Sequence, residues 1–415
     1  MAAAASNGGV ASNAPVPGHL ASIYNEVKPS RIAHTLSLPP SSVLRSNFTV
    51  ADDPASTAVG SPDVIAKLFS SLYGQLSAVP IAMNRTRSAF CFLVARSRGT
   101  IELRHHWILS IVKMEPSSLP VGKNRKYPFL QVAHLSLVEC PPGTVPVLRN
   151  NRRDQIAVHI MDQEMNNDDQ LEVAGIKYSD DLFGVRATIN VYEPKVKKYS
   201  KDISQSGMQI DNGPMGHIES VVACYSVAPS YTGDGFARFH VAWRDAILKK
   251  SCYDHTCPGF VQVSHRVGLG GRVLPVSVYN GPQYVIDILI FKDPKTKNWW
   301  VAYGEEKTLI GYWPNSLFSQ IKYKGNFSFW GGQVSGPTAS SHSPQIGSGH
   351  FATEGYGKAS FMRNIQIVDG NSKLVTPNKD KDIVGTSDLK KYSVDGYEVN
   401  KHGMHMYYGG PGNLV

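Results

Sequence analysis

Short hydrophobic runs separated by turn residues dominate the chain after Gly175. They contain many β-branched and aromatic residues and read "VRATINVYE", "RFHVAW", "FVQVSH", "LPVSVYN", "QYVIDILIF", "WWVAYG", "ASFMRNIQIV" and "MHMYYGG". The Asp-Pro step and the lysines of "DPKTKN", between "ILIF" and "WWVAYG", predict a hairpin loop. Many short strands without long amphipathic helices predict an all-β fold, either an antiparallel β-sandwich or a closed barrel.

The first part of the chain has a different pattern. Residues 1–60 are rich in Ala, Ser, Asn and Pro without periodicity, which predicts a disordered leader. A helix is predicted for "SPDVIAKLFSSLYGQLSAV", which begins at Ser61 and has apolar residues at helical spacing. From about residue 88, strand-like runs alternate with Pro-rich turns. We therefore divide the chain into a leader (1–60), an irregular N-terminal region (61–165) and a β domain (166–415).

Composition narrows the classes of function. The chain has 415 residues, of which 42% are hydrophobic and 18% charged, as in globular proteins. Lys and Arg exceed Asp and Glu by nine, but no basic helix accompanies them, so we expect no nucleic-acid partner. No apolar run reaches the roughly 18 residues of a membrane helix, so no membrane association is expected. The first residues lack the pattern of a secretory signal peptide.

The chain has five cysteines, an odd number. Cys252 and Cys257, in "SCYDHTCPGF", are close enough in sequence for a local disulfide. A zinc site would need further ligands at matching spacing, and only His255 lies between the two cysteines. We favour the disulfide and expect neither a metal nor a cofactor.

A glycine-rich segment precedes one of the strongest predicted strands. Gln345, His350, Glu354 and Lys358 lie among the glycines of "SPQIGSGHFATEGYGKASFMRNIQIVDG". Polar groups on such a loop beside an apolar strand suit the wall of a binding cleft. An ordered surface loop with satisfied hydrogen bonds fits the same pattern equally well.

Several long motifs resemble the neprosin family, the plant-type glutamic peptidases that cleave after proline. The motifs are "FGVRATINVYEPKV", "SCYDHTCPGFVQV", "YNGPQYVIDILIFKDPKTKNWWVAYG", "IGYWPNSLF", "FWGGQV", "QIGSGHF", "EGYGKAS", "RNIQIVD" and "YYGGPG". The resemblance spans Gly175 to Gly412, and upstream "MEPSSLP" and "CPPGTVPVLR" look like the family's activation peptide. It implies a sandwich of two antiparallel sheets, of the jelly-roll or concanavalin-like type known from glutamic peptidases. It also implies a cleft on a concave face and an extracellular or secretory location.

The resemblance also gives the positions of the two catalytic glutamates. The second follows Trp-Gly-Gly, and in this chain Gln333 occupies that position after Trp330. The first maps without gaps onto Val222, and the tryptophan three residues later maps onto Tyr225. We expect Trp330 and Tyr225 in the cleft. Valine cannot transfer a proton and an amide has no basicity, so both catalytic carboxylates are absent from these positions.

Two functions remain open. The first is a catalytically degenerate protein whose cleft binds proline-rich peptide or protein. The alternative is an active endopeptidase in which Glu219 replaces the first glutamate and acts with Gln333, which would require a β-bulge because residues three apart on a strand face opposite sides. Cys224 is a weaker candidate nucleophile, since no histidine in the sequence is paired with it. The oligomeric state is not predicted.

Overall fold

A computed structural model describes residues 89–93, 115–122, 130–135, 140, 144–148, 171–248, 250–400 and 403–413. The predicted leader, residues 1–60, and the predicted helix from Ser61 lie outside these residues. The part of the chain before residue 200 contributes the strands β1 (Ala89–Leu93), β2 (Gln131–Val132), β3 (His134–Leu135), β4 (Thr144–Leu148), β5 (Leu171–Leu182) and β6 (Gly184–Asn190).

The remaining described residues form mostly strands. These are β7 (Ile203–Asn212), β8 (Glu219–Val227), β9 (Arg238–Asp245), β10 (Lys250–Tyr253), β11 (Val261–Gln262), β12 (Val273–Leu274), β13 (Tyr284–Lys292), β14 (Trp299–Tyr303), β15 (Thr308–Trp313), β16 (Gly325–Ser335), β17 (Ser360–Val368), β18 (Leu374–Val375), β19 (Asp382–Thr386), β20 (Ser393–Asn400) and β21 (Gly403–Gly409). The helical segments are α1 (Pro229–Thr232) and the 3₁₀ turns Asn315–Leu317, Ala352–Glu354 and Lys379–Lys381. No described helix is long and apolar enough to cross a membrane.

Two antiparallel sheets form the body of the molecule. One sheet has the strand order β10-β9-β8-β7-β16-β5-β19, and the other has the order β11-β15-β14-β13-β6-β17-β21-β20, with β18 beside β17. The short β2 runs parallel to β13 at one end of the second sheet. Buried side chains of both sheets belong to one hydrophobic core, so the predicted antiparallel β-sandwich is confirmed.

Strand alternation decides which side chains enter this core. On β8, Val221, Ala223 and Tyr225 are fully buried between the sheets. On β13 of the second sheet, Ile286 and Ile288 are buried in the same core. Each fully buried valine or isoleucine side chain contributes about 1.5–3 kcal/mol, so the inner faces supply much of the stability of the sandwich.

The sequence located most strands but not all of them. The "DPKTKN" hairpin is confirmed, because Lys292 pairs with Trp299 across it and Asp293 accepts hydrogen bonds from the backbone N–H and hydroxyl of Thr296. The predicted strand "LPVSVYN" is wrong beyond Leu274. Its backbone N–H groups bond outside any strand ladder, as when Ser277 donates to Val191.

Part of the N-terminal region belongs to the same core. Ala133 and Leu135 are 0% and 1% exposed among the core residues of the sandwich. The β3 strand pairs with β12, and the Tyr303 hydroxyl donates a 2.6 Å hydrogen bond to the carbonyl of Ala133. Residues upstream of the predicted β domain therefore fill space between its loops and strands.

Replacing Leu135 by alanine tests this contribution. We expect Leu135→Ala to lower the free energy of unfolding by about 2–4 kcal/mol, because the substitution leaves a cavity in a close-packed core. Urea unfolding measures the change. The matched control is Val132→Ala, since Val132 is 49% exposed on the neighbouring strand and its loss should cost less than about 0.5 kcal/mol. Equal effects of the two substitutions would contradict the assignment of Leu135 to the core.

Candidate functional site

The candidate site lies on the outer face of the first sheet, the face turned away from the second sheet. Strands β16, β7 and β8 are neighbours there, and their residues align in rows across the sheet. A shallow pocket, called the groove below, lies over these strands and is lined by Gln205, Gly207, Met208, Gln209, Val222, Cys224, Phe329, Gly331 and Gln333. Its volume of about 10 Å³ is close to the minimum for one water molecule, so a larger ligand would lie along the face.

The floor of the groove consists of Gly207 and Gly331, which are register partners on β7 and β16. A Cβ atom on Gly207 would lie 2.4 Å from the Cβ of Cys224, and one on Gly331 would lie 2.3 Å from the carbonyl oxygen of Ala174. Real Cβ atoms do not approach other atoms so closely. Only glycine at these positions keeps the strands in register and leaves the floor open.

Two glutamines lie side by side at one end of the groove, and we call them the amide pair. Gln333 on β16 is the register partner of Gln205 on β7. Gln333 is half-buried, and its side chain makes no hydrogen bond with the described residues. Gln205 is 6% exposed, and its Oε1 accepts a 3.2 Å hydrogen bond from the Tyr253 hydroxyl. Amides can donate hydrogen bonds to a ligand but cannot take a proton from water.

Sequence reasoning missed Gln205. Its signal is the alternation in "ISQSGMQIDN", which places Gln205, Gly207 and Gln209 on one face of β7. Polar residues at every second position, interrupted by a glycine, indicate a strand with a polar outer face. The pairing of Gln205 with Gln333 depends on the register of two strands distant in sequence, which the chain pattern alone does not give.

Val222, the position of the first family glutamate, lies at the other end of the groove. Val222 pairs with Gln209, and Gln209 pairs with Phe329. The three side chains therefore form a row across the strands, with the amide between two apolar residues. Gln209 is four residues from Gln205 along β7, which corresponds to about 13 Å. The structure therefore places both expected positions in one groove but at opposite ends, with no carboxylate among the lining residues that it describes.

Glu219 does not lie near Gln333. The pairing of β8 with β7 runs from Glu219 to Val227 without a register shift, so the bulge required by the slipped pair is absent from this strand. Glu219 is 1% exposed and accepts hydrogen bonds from the backbone N–H groups of Ser319, Gln320 and Ile321 and from the Ser319 hydroxyl. The prediction of Glu219 as a catalytic base is wrong, because its lone pairs are committed to a structural clamp on residues 319–321.

Trp330 and Tyr225 are also outside the groove, contrary to expectation. Both are 0% exposed and belong to the core between the sheets. The Tyr225 hydroxyl donates a 3.1 Å hydrogen bond to the carbonyl of Asn190 on the second sheet. Each residue is three positions from a groove residue on its own strand, so alternation turns it inward.

The glycine-rich loop does not form a wall of the groove. Its Ile346 is fully buried in the core, within reach of the inner side of Gly332. Gln345 Oε1 accepts a 2.9 Å hydrogen bond from the backbone N–H of Lys195. The structure thus corresponds to the alternative of an ordered surface loop.

The other polar residues of the loop form a surface cluster of their own. His350 Nδ1 lies 2.9 Å from Glu354 Oε1, and the Tyr279 hydroxyl donates to Glu354 Oε2. The rings of Tyr279 and His350 stack with centroids 4.0 Å apart. Burial acts to raise the pKa of Glu354, but the hydrogen bonds from Tyr279 and His350 outweigh it and lower the pKa below its usual value. The charge of the half-buried Lys358 adds a smaller lowering effect. These residues are satisfied by one another.

The structure provides a histidine beside Cys224 that the sequence did not reveal. His240 on β9 is the register partner of Cys224, and its Nδ1 lies 2.7 Å from Asp254 Oδ2. Cys224 is 1% exposed, and burial raises the pKa of its thiol well above the ordinary value, with Asp254 adding to the effect. Its Sγ contacts Gln205 Oε1 at 3.9 Å. A neutral buried thiol that donates to an amide is not an activated nucleophile.

The remaining cysteine prediction is confirmed. Cys252 and Cys257 form a disulfide with a Cα–Cα distance of 5.7 Å. Within the described ranges, no group of three or more His, Cys, Asp or Glu residues is placed to hold a metal ion.

One carboxyl group, Asp211, lies on the outer face beyond the groove. It is six residues from Gln205 along β7, about 20 Å. It is 0% exposed, and Gln209 Nε2 donates to both of its oxygens at 2.8 Å. Burial raises its pKa from 3.8 to about 6, an effect opposed by hydrogen bonds from Ser220 and Gln209. Because it is fully enclosed and distant from Gln333, it cannot activate a water molecule beside the amide pair.

Comparison with family models gives a match over half of the chain. The model of the family described as Neprosin matches residues 200–411. This range contains Gln205, Val222, Cys224, Phe329 and Gln333, so the whole groove lies within the matched part.

Curated relatives match a much shorter stretch. A segment of 69 residues is 54% identical to pyrophosphate--fructose 6-phosphate 1-phosphotransferase subunit beta 1 of Arabidopsis thaliana, covering 17% of this chain and 12% of that protein. A segment of 88 residues is 50% identical to the beta subunit of the same phosphotransferase from Solanum tuberosum. It covers 19% of this chain and 15% of that protein. The chain thus spans less than a sixth of these relatives.

Two solved structures align with more than half of the chain. The first is Scytalido-glutamic peptidase with a peptide-based transition state analogue, at 8% sequence identity and a TM-score of 0.30. The second is SCP-B of the Eqolisin family with the tripeptide Ala-Ile-His, at 9% sequence identity and a TM-score of 0.29. Both alignments cover 58% of this chain, and they cover 97% and 96% of those chains. At these TM-scores the fold assignment depends on the sheet topology of the chain itself.

Replacing Glu219 tests its structural role. We expect Glu219→Gln to lower the free energy of unfolding by about 3 kcal/mol. In the wild type the backbone N–H groups donate to a charged carboxylate, whereas in the variant one of its oxygens is replaced by an NH₂ group, which is itself a donor. Urea unfolding measures the loss. The control Glu306→Gln changes an exposed residue and should have an effect below about 0.5 kcal/mol. An unchanged stability of Glu219→Gln would show that the clamp is unimportant.

Replacing Asp211 tests the titration of the buried carboxyl. With a folded-state pKa of about 6 and an ordinary value of 3.8, the folded chain binds more protons than the unfolded chain between these pH values. This contribution to stability is present below about pH 4 and is lost as the pH rises through about 6. Between these limits the unfolding free energy of the wild type should fall by about 2–3 kcal/mol more than that of Asp211→Asn. Parallel pH profiles from urea unfolding would contradict the raised pKa.

Proposed function

The chain belongs to the neprosin family, a peptidase-like family, and from this we propose that it binds extended proline-rich peptide segments along the groove without hydrolysing them. The observation that supports the proposal is the chemistry of the two family positions. Val222 and Gln333 both line the groove, and neither can accept a proton from water.

Peptide hydrolysis needs a proton acceptor beside the attacking water and a donor where negative charge develops on the carbonyl oxygen. The amide pair can supply the donor. The groove offers no acceptor of useful basicity among its described lining residues. Glu219 and Asp211 are enclosed and hydrogen-bonded, and Asp254, the acid beside Cys224, is paired with His240 and accepts a hydrogen bond from the backbone N–H of Val241. A cleft that keeps donors without a base favours binding over turnover.

The polar groups of the groove suit a proline-rich chain. Such a segment adopts the extended polyproline conformation, in which the backbone carbonyls remain without internal partners, and proline has no N–H to donate. A site that recognises it therefore needs hydrogen-bond donors rather than acceptors. The amide pair provides N–H donors, and the partly exposed ring of Phe329 at the opposite end provides a surface on which a pyrrolidine ring can pack.

The rival proposal, an active endopeptidase that uses Glu219 with Gln333, has less support. It would require Glu219 to turn to the outer face and to lose four hydrogen-bond donors at once. The cost of freeing a buried, hydrogen-bonded carboxylate in this way is several kcal/mol.

We also propose that the protein works outside the cell or in the secretory pathway. Disulfide bonds persist in oxidising compartments, and the Cys252–Cys257 bridge supports such a location. The proposed partner is a proline-rich peptide or protein, rather than nucleic acid or membrane.

Titration of the full chain with a fluorescently labelled proline-rich peptide, capped at both ends, tests the function. We expect saturable binding, and we expect Phe329→Ala to weaken it about tenfold because it removes the packing surface. The control Phe236→Ala removes another partly exposed ring, which packs on Arg272 outside the groove, and should leave affinity unchanged. Absence of binding at millimolar peptide would overturn the proposal.

The same peptide, incubated with the protein from acidic to neutral pH and analysed by mass spectrometry, tests hydrolysis. We expect it to remain intact. Cleavage after proline by the wild type that disappears in Glu219→Gln, at conditions where circular dichroism shows the variant folded, would establish the endopeptidase instead.

A further inference from the structure

We infer that Gln205 is a second ligand-binding residue of the groove, which presents its side-chain N–H to a carbonyl oxygen of the bound chain in an orientation set by Tyr253. The inference rests on the proposed function for the identity of the ligand as a peptide. It goes further by naming the group that the groove recognises and the residue that positions it.

The contacts of Gln205 fix which way its amide points. The Tyr253 hydroxyl donates to Oε1 at 3.2 Å, and the Cys224 thiol contacts the same oxygen at 3.9 Å. The thiol stays protonated because burial raises its pKa, so it too is a donor. An oxygen that meets two donors on one side turns the nitrogen of the planar amide to the other side, into the groove.

Tyr253 is itself held in place. It is 4% exposed, its ring packs nearly perpendicular to that of His240 with centroids 6.0 Å apart, and its backbone N–H donates to the Thr256 hydroxyl. The next residue, Asp254, holds His240, and the preceding residue forms the Cys252–Cys257 disulfide. The hydroxyl therefore reaches Gln205 from a rigid support, as required of a residue that preorganises a binding group.

The nitrogen of Gln205 is the unpaired end of this arrangement. The side chain is more than nine-tenths buried, yet Nε2 has no hydrogen-bond partner among the described residues. Nε2 is not one of the fully enclosed unpaired atoms among the described residues, so it remains open to an acceptor in the groove. A donor held in one orientation beside the open floor of the groove points to an acceptor supplied by a ligand.

The chemistry of the groove favours a neutral carbonyl over a free carboxylate. Neither Lys nor Arg is among the described residues that line it, and an ion that leaves water needs a compensating charge. Gln333 is the register partner of Gln205, and Cβ atoms of such partners lie about 4.5–5.5 Å apart. Two amides at this spacing can donate to one carbonyl oxygen or to neighbouring acceptors of an extended chain.

Side-chain NH₂ signals in ¹⁵N-correlated NMR spectra of the full chain test the inference, with the Gln205 signal identified by its loss in Gln205→Leu. We expect the capped proline-rich peptide to shift this signal. N-Methylacetamide, which carries a single peptide carbonyl, should shift it at millimolar concentration, and acetate, the free carboxylate, should not. A shift by N-methylacetamide without peptide binding would uphold the inference while the proposed function fails. No shift by either carbonyl compound would overturn the inference.

A double-mutant cycle measures the positioning role of Tyr253. We expect Gln205→Leu to weaken peptide binding about tenfold and Tyr253→Phe to weaken it about threefold, with no further effect of Tyr253→Phe when Gln205 is already leucine. The control Tyr178→Phe removes a hydroxyl that bonds Asp180 on the inner side of the same sheet and should leave affinity unchanged. Equal losses from Tyr253→Phe in both backgrounds would show that Tyr253 acts on folding rather than through Gln205.

Discussion

The two-residue period of the β-strand is the constraint on which the rest of this structure depends. Every strand of the first sheet divides its side chains between a dry interior and an outer face, and a shift by an odd number of residues moves a side chain from one to the other. On β8 this rule separates Val222 from Glu219, and on β16 it separates Gln333 from Trp330. Alternate residues of each strand form the outer face, with odd numbers on β7 and β16 and even numbers on β8, and the residues between them face the core.

The same constraint keeps Glu219, a carboxylate on β8, away from the groove that Val222 of that strand lines. Glu219 lies on the same strand as Val222 but faces the opposite side, where its carboxylate accepts hydrogen bonds from the backbone of residues 319–321. Its charge is stabilised by four donors, and moving it would break both the strand pairing and the clamp. Val222 can therefore occupy its position in the groove without disturbing the strand pairing around it.

Much of the fold could be predicted from the sequence, because alternation and turn residues are local signals. The β13–β14 hairpin followed from "DPKTKN", and the sandwich followed from the number of short strands. The site was harder. Gln333 and Val222 could be located from the family motifs, but Trp330 and Tyr225 were placed in the cleft although each lies three residues from a groove position. The alternation of side chains along a strand, which argued against Glu219, also excludes Trp330 and Tyr225 from the groove. The positions of Gln205 and His240 beside the groove depend on the register of strands that are distant in sequence, and tertiary packing sets this register.

The burial of Leu135 has a consequence for how the chain could be shortened. A polypeptide that begins at the start of β5 would lack the strand that covers β12 and the side chain that fills the core beneath it. Solvent would then reach apolar surface at the end of β13, and the exposed edge would invite association with other chains. Any maturation step that severs the backbone between β4 and β5 would leave a two-piece molecule held together by packing and hydrogen bonds, with the upstream fragment behaving as a subunit.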